Sequence, residues 1–321
     1  MSSRPAFSSV AFRRAPPITV HAPAKLNLSL AVLARRPDGF HEIESLMVPV
    51  SLHDTLRLRV TDEPGIRLSV SFGGRLAQPQ AAALRRDVPA DDSNLVVRAA
   101  RMLAEEAGVS LGLEVELIKE IPSGAGLGGG SSDAAAVLAA AADAWGIEWS
   151  RERLAALGSR LGSDIPWFFA GGPAVASGRG ERIDPVDGIP PLPAVIACPA
   201  VGLSTAAVYG RCEPDASRRG EAARLAAALA DGRMHASQLL MHNALERPAR
   251  AICPDVSRLL DAMAAAGATR PMLTGSGSAC FAIARTAPEA RGIAARLDAA
   301  GWPGVFPVRF IPGRGGRLHA Q

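Results

Sequence analysis

The sequence predicts a two-domain α+β protein. Three observations carry this. The 321 residues are enough for one large domain or two ordinary ones. Strand-like and helix-like patterns mix in both halves of the chain, with no internal repeat. Proline is dense between Asp184 and Pro199, which marks a boundary. The expected division is 18–188 and 189–321. Residues 1–17 hold Arg and Ser and no acid. A transit peptide would share that composition, but no amphipathic period supports one, so a short disordered tail is expected.

Each element follows from local pattern. Ile18 to Leu33 reads as a strand, a short irregular His-Ala-Pro-Ala-Lys segment, then a second strand with Leu26, Leu28 and Leu30 alternating. Arg36-Pro-Asp-Gly39 is a turn signal. Glu42 to Val50, Thr55 to Val60 and Arg67 to Phe72 are further strands. Asp92-Ser-Asn94 caps an amphipathic helix running to about Ala107, with Leu95, Val96, Ala99, Met102 and Leu103 on one face. Leu113 to Ile118 alternates as a strand. A glycine-rich loop leads into a helix over about Ser132 to Trp145, and another helix spans about Arg151 to Leu161. In the second half, Ala222 to Ala230, Gln238 to Ala249 and Val256 to Ala266 read as helices. Thr274 to Ala284 is a second glycine-rich turn entering a strand. Pro288 to Ala300 is a helix and Val305 to Phe310 a closing strand.

Composition excludes several classes. Apolar residues make up 48% but aromatics only 4%, so aliphatic side chains and Ala must fill the core. The net charge of +4 suits an anionic partner such as a nucleotide, while the basic residues are too dispersed for a nucleic-acid surface. The four cysteines stand far apart and no HExxH pattern occurs, so neither a disulfide framework nor a zinc site is expected, and a reducing cytoplasm is the default. No apolar run reaches the ~18 residues of a membrane span. Of 35 basic residues only Lys25 and Lys119 are lysines. Either these two places need a compact ammonium rather than a planar fork, or they are the tail of a skewed composition.

The segment from Pro122 to Ala136 carries most of the chemistry. Five glycines in the seven positions 124–130 allow positive φ and close approach to a ligand. Successive N–H groups can face one concavity, and the following helix adds its positive end. Ser131 and Ser132 can donate to phosphate or ligate Mg²⁺. Asp133 would repel phosphate and is expected to point away. A flexible linker does not fit the strong Ala-rich helix that follows. A dinucleotide loop fits Gly124, Gly126 and Gly129, but that motif needs a ribose-binding acid about 20 residues on, past a strand, and none is present. The segment is not a Walker A loop either, since no Lys-Ser/Thr follows the glycines. The remaining reading is a kinase-type phosphate loop.

Phosphoryl transfer to an alcohol needs a group to accept or orient the hydroxyl proton. Asp164 is the candidate, in Leu161-Gly-Ser-Asp-Ile-Pro166, where a helix is expected to end at Gly162 and Pro166 to force an extended exit. An ordinary turn aspartate is the alternative. Lys25 can hold Asp164 ionised and polarise the hydroxyl, or it is a surface lysine at a strand start. Asn27, one alternation on, shares its face. His41 beside an aromatic in an exposed turn suits a base reader or a capped hairpin equally.

Together these segments resemble the GHMP kinases, the superfamily of galactokinase, homoserine kinase and mevalonate kinase. Its three motif regions occur in order: Ala22 to Asn27, Pro122 to Ala136, and Thr274 to Ala279. The resemblance covers residues ~18 to ~312. It is strongest, through Arg36 to His41, Asp92 to Leu95 and Leu161 to Pro166, to members acting on a CDP-linked methylerythritol in isoprenoid biosynthesis. It implies a ribosomal-protein-S5-like first domain, with a left-handed βαβ crossover against the usual rule, and a ferredoxin-like second domain. Lys25 and Asp164 fall on the catalytic pair. Phe40 and His41 fall where cytosine stacks and bonds, with Phe in place of the commoner Tyr. Asn27, Tyr209, Thr274 and Gly275 fall on the substrate side. Pro122, Ser123, Gly124, Ala125, Gly126, Leu127, Gly128, Gly129, Gly130, Ser131 and Ser132, with Asn94 and Lys119, fall on the ATP side. The expected cofactors are ATP and Mg²⁺, the latter touching Ser132. The expected partner is a small CDP-alcohol, with no nucleic acid or membrane, for a monomer or weak homodimer. Another GHMP kinase of mevalonate or homoserine type, or a non-catalytic nucleotide sensor, are the alternatives.

Overall fold

The computed structural model describes residues 17–85 and 88–313. The tail expected at 1–17 lies outside them but for its last residue.

The chain opens with β1 (Ile18–Asn27), β2 (Ser29–Arg35), β3 (His41–Thr61) and β4 (Ile66–Phe72). The irregular segment expected to split two strands is instead a bulge inside β1, where the register against β3 shifts between Pro23 and Lys25. Proline has no N–H to give the ladder, and the extra residue re-aims Lys25. The two strands expected at 42–60 are one 21-residue strand, β3. It is the spine of the first sheet, pairing antiparallel with β1, β2, β5 (Gly112–Lys119) and β6 (Ala174–Gly178).

Between β4 and β5, which run parallel, lies α1 (Leu95–Ala107). Asn94 caps it, its Oδ1 accepting from Val96 N–H at 2.9 Å, and Gly108 closes it at φ 68°. After β5 come α2 (Gly129–Ala144), α3 (Arg151–Ser159) and α4 (Ile165–Phe168). The exit from Asp164 is thus helical, not extended: Pro166 sits in the first turn, where its missing N–H is not needed. Alanines line α2 on nearly all sides, and the helix is buried almost all round. Its small side chains let it sit close on the sheet, where Leu58, Leu103, Leu138, Trp145 and Trp167 complete one core.

β7 (Arg182–Pro185) ends the first sheet's run, and β8 (Pro193–Cys198) begins the second. The proline-dense segment therefore contains a strand. Pro193 occupies the first residue, where a strand tolerates proline, and the residues after it are buried on both faces. Then follow α5 (Thr205–Gly210), α6 (Glu221–Ala230), α7 (Met234–Leu240), β9 (His242–Asn243), α8 (Glu246–Ile252) and α9 (Pro254–Ala265). The single helix expected at 238–249 is broken because His242 and Asn243 pair in parallel with Ser29 and Leu30 of β2. The second half thus returns a strand to the first sheet. β10 (Met272–Leu273), β11 (Cys280–Ile283), α10 (Ala287–Ala299) and β12 (Gly304–Arg309) complete the chain. The second sheet has the order β10-β11-β8-β12, all antiparallel. Alternation along it divides two cores. Ile196 and Phe281 face Leu26, Val48 and Leu127 of the first unit. Val195 and Ala282 face Leu259, Met263 and Ile293 of the helices behind.

Candidate active site

A cavity of about 1170 Å³ opens between the two sheets, walled by β1, both glycine-rich turns, the Arg36–His41 turn, Asp164 and Tyr209.

The first glycine turn takes φ 65°, 81° and 73° at Gly124, Gly126 and Gly128, conformations that favour glycine. Helix α2 starts at Gly129, three residues earlier than expected, because Gly128 in the left-handed region already forms its cap. Ser132 N–H is the first to close a helical bond, to Gly128 O at 2.9 Å. The N–H groups of Gly129, Gly130 and Ser131 come before it and are the free donors of the helix end. They suit an anion, aided by the helix dipole. The loop is pinned from below: Lys25 N–H donates to Leu127 O at 2.9 Å, and Ala279 N–H donates to Ala125 O at 3.1 Å.

Lys25 is 4% exposed. Its ammonium donates to Asn27 Oδ1 at 2.6 Å. Lysine can only donate, so the amide oxygen must face it, and Nδ2 then donates to Ser45 Oγ at 2.8 Å. Ser45 Oγ in turn donates to Ser29 O at 2.6 Å. Thr274 Oγ1, from the second turn, accepts Asn27 N–H at 3.0 Å. Burial pulls the Lys25 pKa below its ordinary value, and the negative field of Asp164 opposes that pull. Asp164 is half-buried at the head of α4 with no capping bond of its own. Its carboxylate is therefore free for a ligand.

Lys119, also buried, is not a free cation. It donates to Asp133 Oδ2 at 2.8 Å and to Asp54 Oδ2. Asp54 Oδ1 also accepts the N–H groups of Glu120 and Ile121 at 2.6 and 2.9 Å. Asp133 Oδ1 has no partner. Burial, opposed by Lys119 and helped by repulsion from Asp54, pushes the Asp133 pKa up to about 8. The two carboxylates also raise Lys119 against its own burial. Both shifts hold if Lys119 keeps its charge and Asp133 keeps a proton, with Asp54 as the hydrogen-bonded anion.

At the other end, Phe40 is 49% exposed, and Arg179 lies 4.0 Å over its ring. The rings of His41 and Tyr209 stand 5.2 Å apart, tilted. Burial and nearby Arg35 lower the His41 pKa, and its Nε2 has no partner.

Of the expected site residues, the structure lines the cavity with Lys25, Asn27, Phe40, His41, Asn94, Lys119, Pro122 to Ser131, Asp164, Tyr209 and Gly275. Ser132 and Thr274 are buried just behind the wall. Asn94 spends its amide on the helix cap and on Pro89 O, at 2.6 Å. Sequence reasoning missed Asp54, Ser45 and Arg179. Only Asp54 left a signal, as the acid a buried second lysine would require.

A loop that presents N–H groups to an anion, with a buried lysine whose backbone N–H is bonded to its underside and a carboxylate near that lysine, defines a small-molecule kinase site outside the Walker class. Two family models match, the GHMP kinases N terminal domain over residues 94–172 and the GHMP kinases C terminal domain over 219–303. The chain belongs to the GHMP kinases, and within them to the 4-diphosphocytidyl-2-C-methyl-D-erythritol kinase family. It is 41% identical over 310 residues to that enzyme of Rhodopirellula baltica, covering 90% of this chain and 93% of the relative. It is 39% identical to that of Pelotomaculum thermopropionicum, covering 87% and 93%. A crystal structure of 4-(cytidine 5'-diphospho)-2C-methyl-D-erythritol kinase superposes with a TM-score of 0.73 at 36% identity, covering 92% of this chain and all of that one. A homoserine kinase from Cytophaga hutchinsonii matches at TM-score 0.71 but 22% identity, a likeness of fold alone. No helix among the described residues is long and apolar enough to cross a membrane.

Proposed function

We propose that this protein transfers the γ-phosphoryl group of ATP to the 2-hydroxyl of 4-diphosphocytidyl-2-C-methyl-D-erythritol, in the cytoplasm, as a step of the non-mevalonate route to isoprenoid precursors. The observation that carries the reading is Lys25. Its backbone is bonded to the phosphate loop, its ammonium to Asn27, and the field of Asp164 acts on its charge.

In this reading the acceptor hydroxyl lies between Lys25 and Asp164. Asp164 takes or orients its proton, and Lys25 stabilises the charge that develops on the oxygen. The N–H groups of the loop and of the first turn of α2 neutralise the transferring phosphate. Phe40, His41 and Tyr209, in the wall of the same cavity, hold the cytosine, so the tag selects the alcohol. Among the described residues no cluster of three His, Cys, Asp or Glu could cage a metal ion. The buried Ser132 Oγ has no partner. One hard oxygen beside a phosphate site fits Mg²⁺, which takes most of its ligands from phosphates and water. Ser132 would hold it, and it would supply charge neutralisation on the nucleotide.

The test is ADP release with the CDP-alcohol against mevalonate, homoserine and galactose. Turnover with the CDP-alcohol alone is expected. Turnover with mevalonate alone overturns the substrate, and none with any substrate leaves a nucleotide sensor. Asp164→Asn, with its fold intact, should lose roughly 10³-fold or more in kcat.

A further inference from the structure

We infer that Arg179 is a substrate-binding residue, which grips the diphosphate of the cytidine-tagged substrate while stacked on Phe40; this rests on the substrate reading above.

The cations that line the cavity can be compared one by one. Lys119 is paired with two carboxylates. Arg36 is paired with Asp38 and Glu42 at 3.2 and 2.7 Å. Arg35 donates to the carbonyls of Gly210 and Cys212. Lys25 is committed to Asn27. Arg179 alone of these makes no side-chain hydrogen bond or ion pair among the described residues; its guanidinium lies over the face of Phe40 at 4.0 Å, and it shares the field of Asp38, whose carboxylate is hydrogen-bonded to Arg36. A guanidinium stacked on a ring keeps its in-plane N–H donors open, and that planar fork matches phosphate oxygens.

The backbone beneath it is held firmly. Arg179 sits in the turn between β6 and β7, flanked by Gly178 and Gly180 at φ 74° and 112°. Its own N–H donates to Glu181 Oε2 at 2.6 Å. The same turn touches the reaction centre: a Cβ at Gly180 would lie 3.8 Å from Ser163 O and 4.0 Å from Asp164 Oδ1. So one short turn carries a cation with no hydrogen-bonded partner at the base-binding end and leans on the proposed proton acceptor at the other. The diphosphate is the anionic part of the substrate that joins those two ends. At 4.0 Å the guanidinium also leaves no room for a base between itself and Phe40. A base therefore stacks on the ring's other face, and the cation is left for the phosphates.

The experiment compares Arg179→Gln and Arg179→Lys with wild type. KM for the CDP-alcohol should rise ~10–100-fold in Arg179→Gln, the size of one or two lost charge-assisted bonds, with KM for ATP unmoved. Arg179→Lys should recover part of this. Calorimetric binding of cytidine and of CDP separates the causes, and needs no turnover. If Arg179 meets the diphosphate, Arg179→Gln weakens CDP and leaves cytidine unchanged. Equal weakening of both would show that Arg179 only braces Phe40, and would overturn the assignment; so would no weakening of either, or a matching rise in KM for ATP. If wild type fails to turn over the CDP-alcohol, the substrate reading falls, and the cytidine–CDP comparison still decides the role of Arg179.

Discussion

Gly275 of the second glycine turn lies directly against Lys25 of β1: a Cβ at Gly275 would stand 3.2 Å from Nζ and 2.8 Å from Gly126 O. One backbone position thus sets the distance between the second sheet, the phosphate loop and the ammonium. Gly275→Ala must both hold φ near 56° and push one of these apart. We expect roughly 1–3 kcal/mol of destabilisation and at least a ~10-fold loss in kcat/KM. Gly124→Ala, at φ 65° with no atom within 4 Å, carries the backbone strain alone. Denaturant midpoints of the two variants therefore isolate the contact. Equal midpoints would mean that the turns are not in contact.

The Asp54–Lys119–Asp133 triad gives a stability signature with a definite sign. Asp133 titrates at about 8 when folded, above the ~3.9 of an unfolded aspartate. Across that window the folded chain holds a proton that the unfolded chain releases. The stability this confers is whole below about pH 4 and is lost as the pH rises through 8. Asp133→Asn imitates the protonated form and releases no proton on unfolding, so it should gain on wild type steadily between about pH 4 and 8 and be the more stable form from about pH 8 upward. Lys119→Met instead strands the Asp54 anion and should cost about 3–5 kcal/mol. Urea titrations of the ligand-free protein in chelator, from pH 5 to 9, check both. A difference between wild type and Asp133→Asn that does not change with pH would overturn the protonation state.

Much of this was legible in the sequence. The loop, Lys25 and Asp164 could be proposed, and the N-cap of α1 read, because turn chemistry and helix ends are local. The two lysines also stood out, and both prove to be buried in the cavity wall. What failed was long-range pairing. The bulge at Pro23 and the parallel bond of His242–Asn243 to Ser29–Leu30 depend on partners far along the chain. So does the strand hidden in the proline-dense segment at 193–198, whose neighbours are β11 and β12. Asp54 was missed for the same reason, since nothing nearby shows that a strand aspartate meets a lysine 65 residues on. Arg179 was missed because a Gly-Arg-Gly turn is ordinary until a ring is found beneath it.

Ser45 orients Lys25, the proposed catalytic lysine, through Asn27. Asn27 can face Lys25 with its oxygen because Ser45 Oγ accepts from its nitrogen. Ser45→Ala leaves that buried N–H without a partner, at about 1–3 kcal/mol, and frees the amide to turn. We expect kcat to fall ~10-fold or more with KM for ATP unchanged, because the proposed role of that amide is on the acceptor side. A change in KM for ATP with kcat intact would show instead that the loop, not the lysine, depends on Ser45.

The scarcity of lysine makes the ionisation of the site directly measurable. A sample labelled at lysine alone gives signals from two ε-positions, Lys25 and Lys119. Burial lowers Lys25 from its ordinary 10.5, while the carboxylates at Lys119 raise that group above the same value. The two should therefore titrate on opposite sides of 10.5, and Lys119→Met assigns them. In Asp164→Asn the field that supports the Lys25 charge is gone, so its pKa should drop further while Lys119 stays put. The rate should follow: if the ammonium stabilises the transferring charge, activity declines with rising pH through the Lys25 value, earlier than an ordinary lysine would require. Lys25 titrating above 10.5, or unmoved by Asp164→Asn, would separate the two residues and remove the electrostatic basis for pairing them in catalysis.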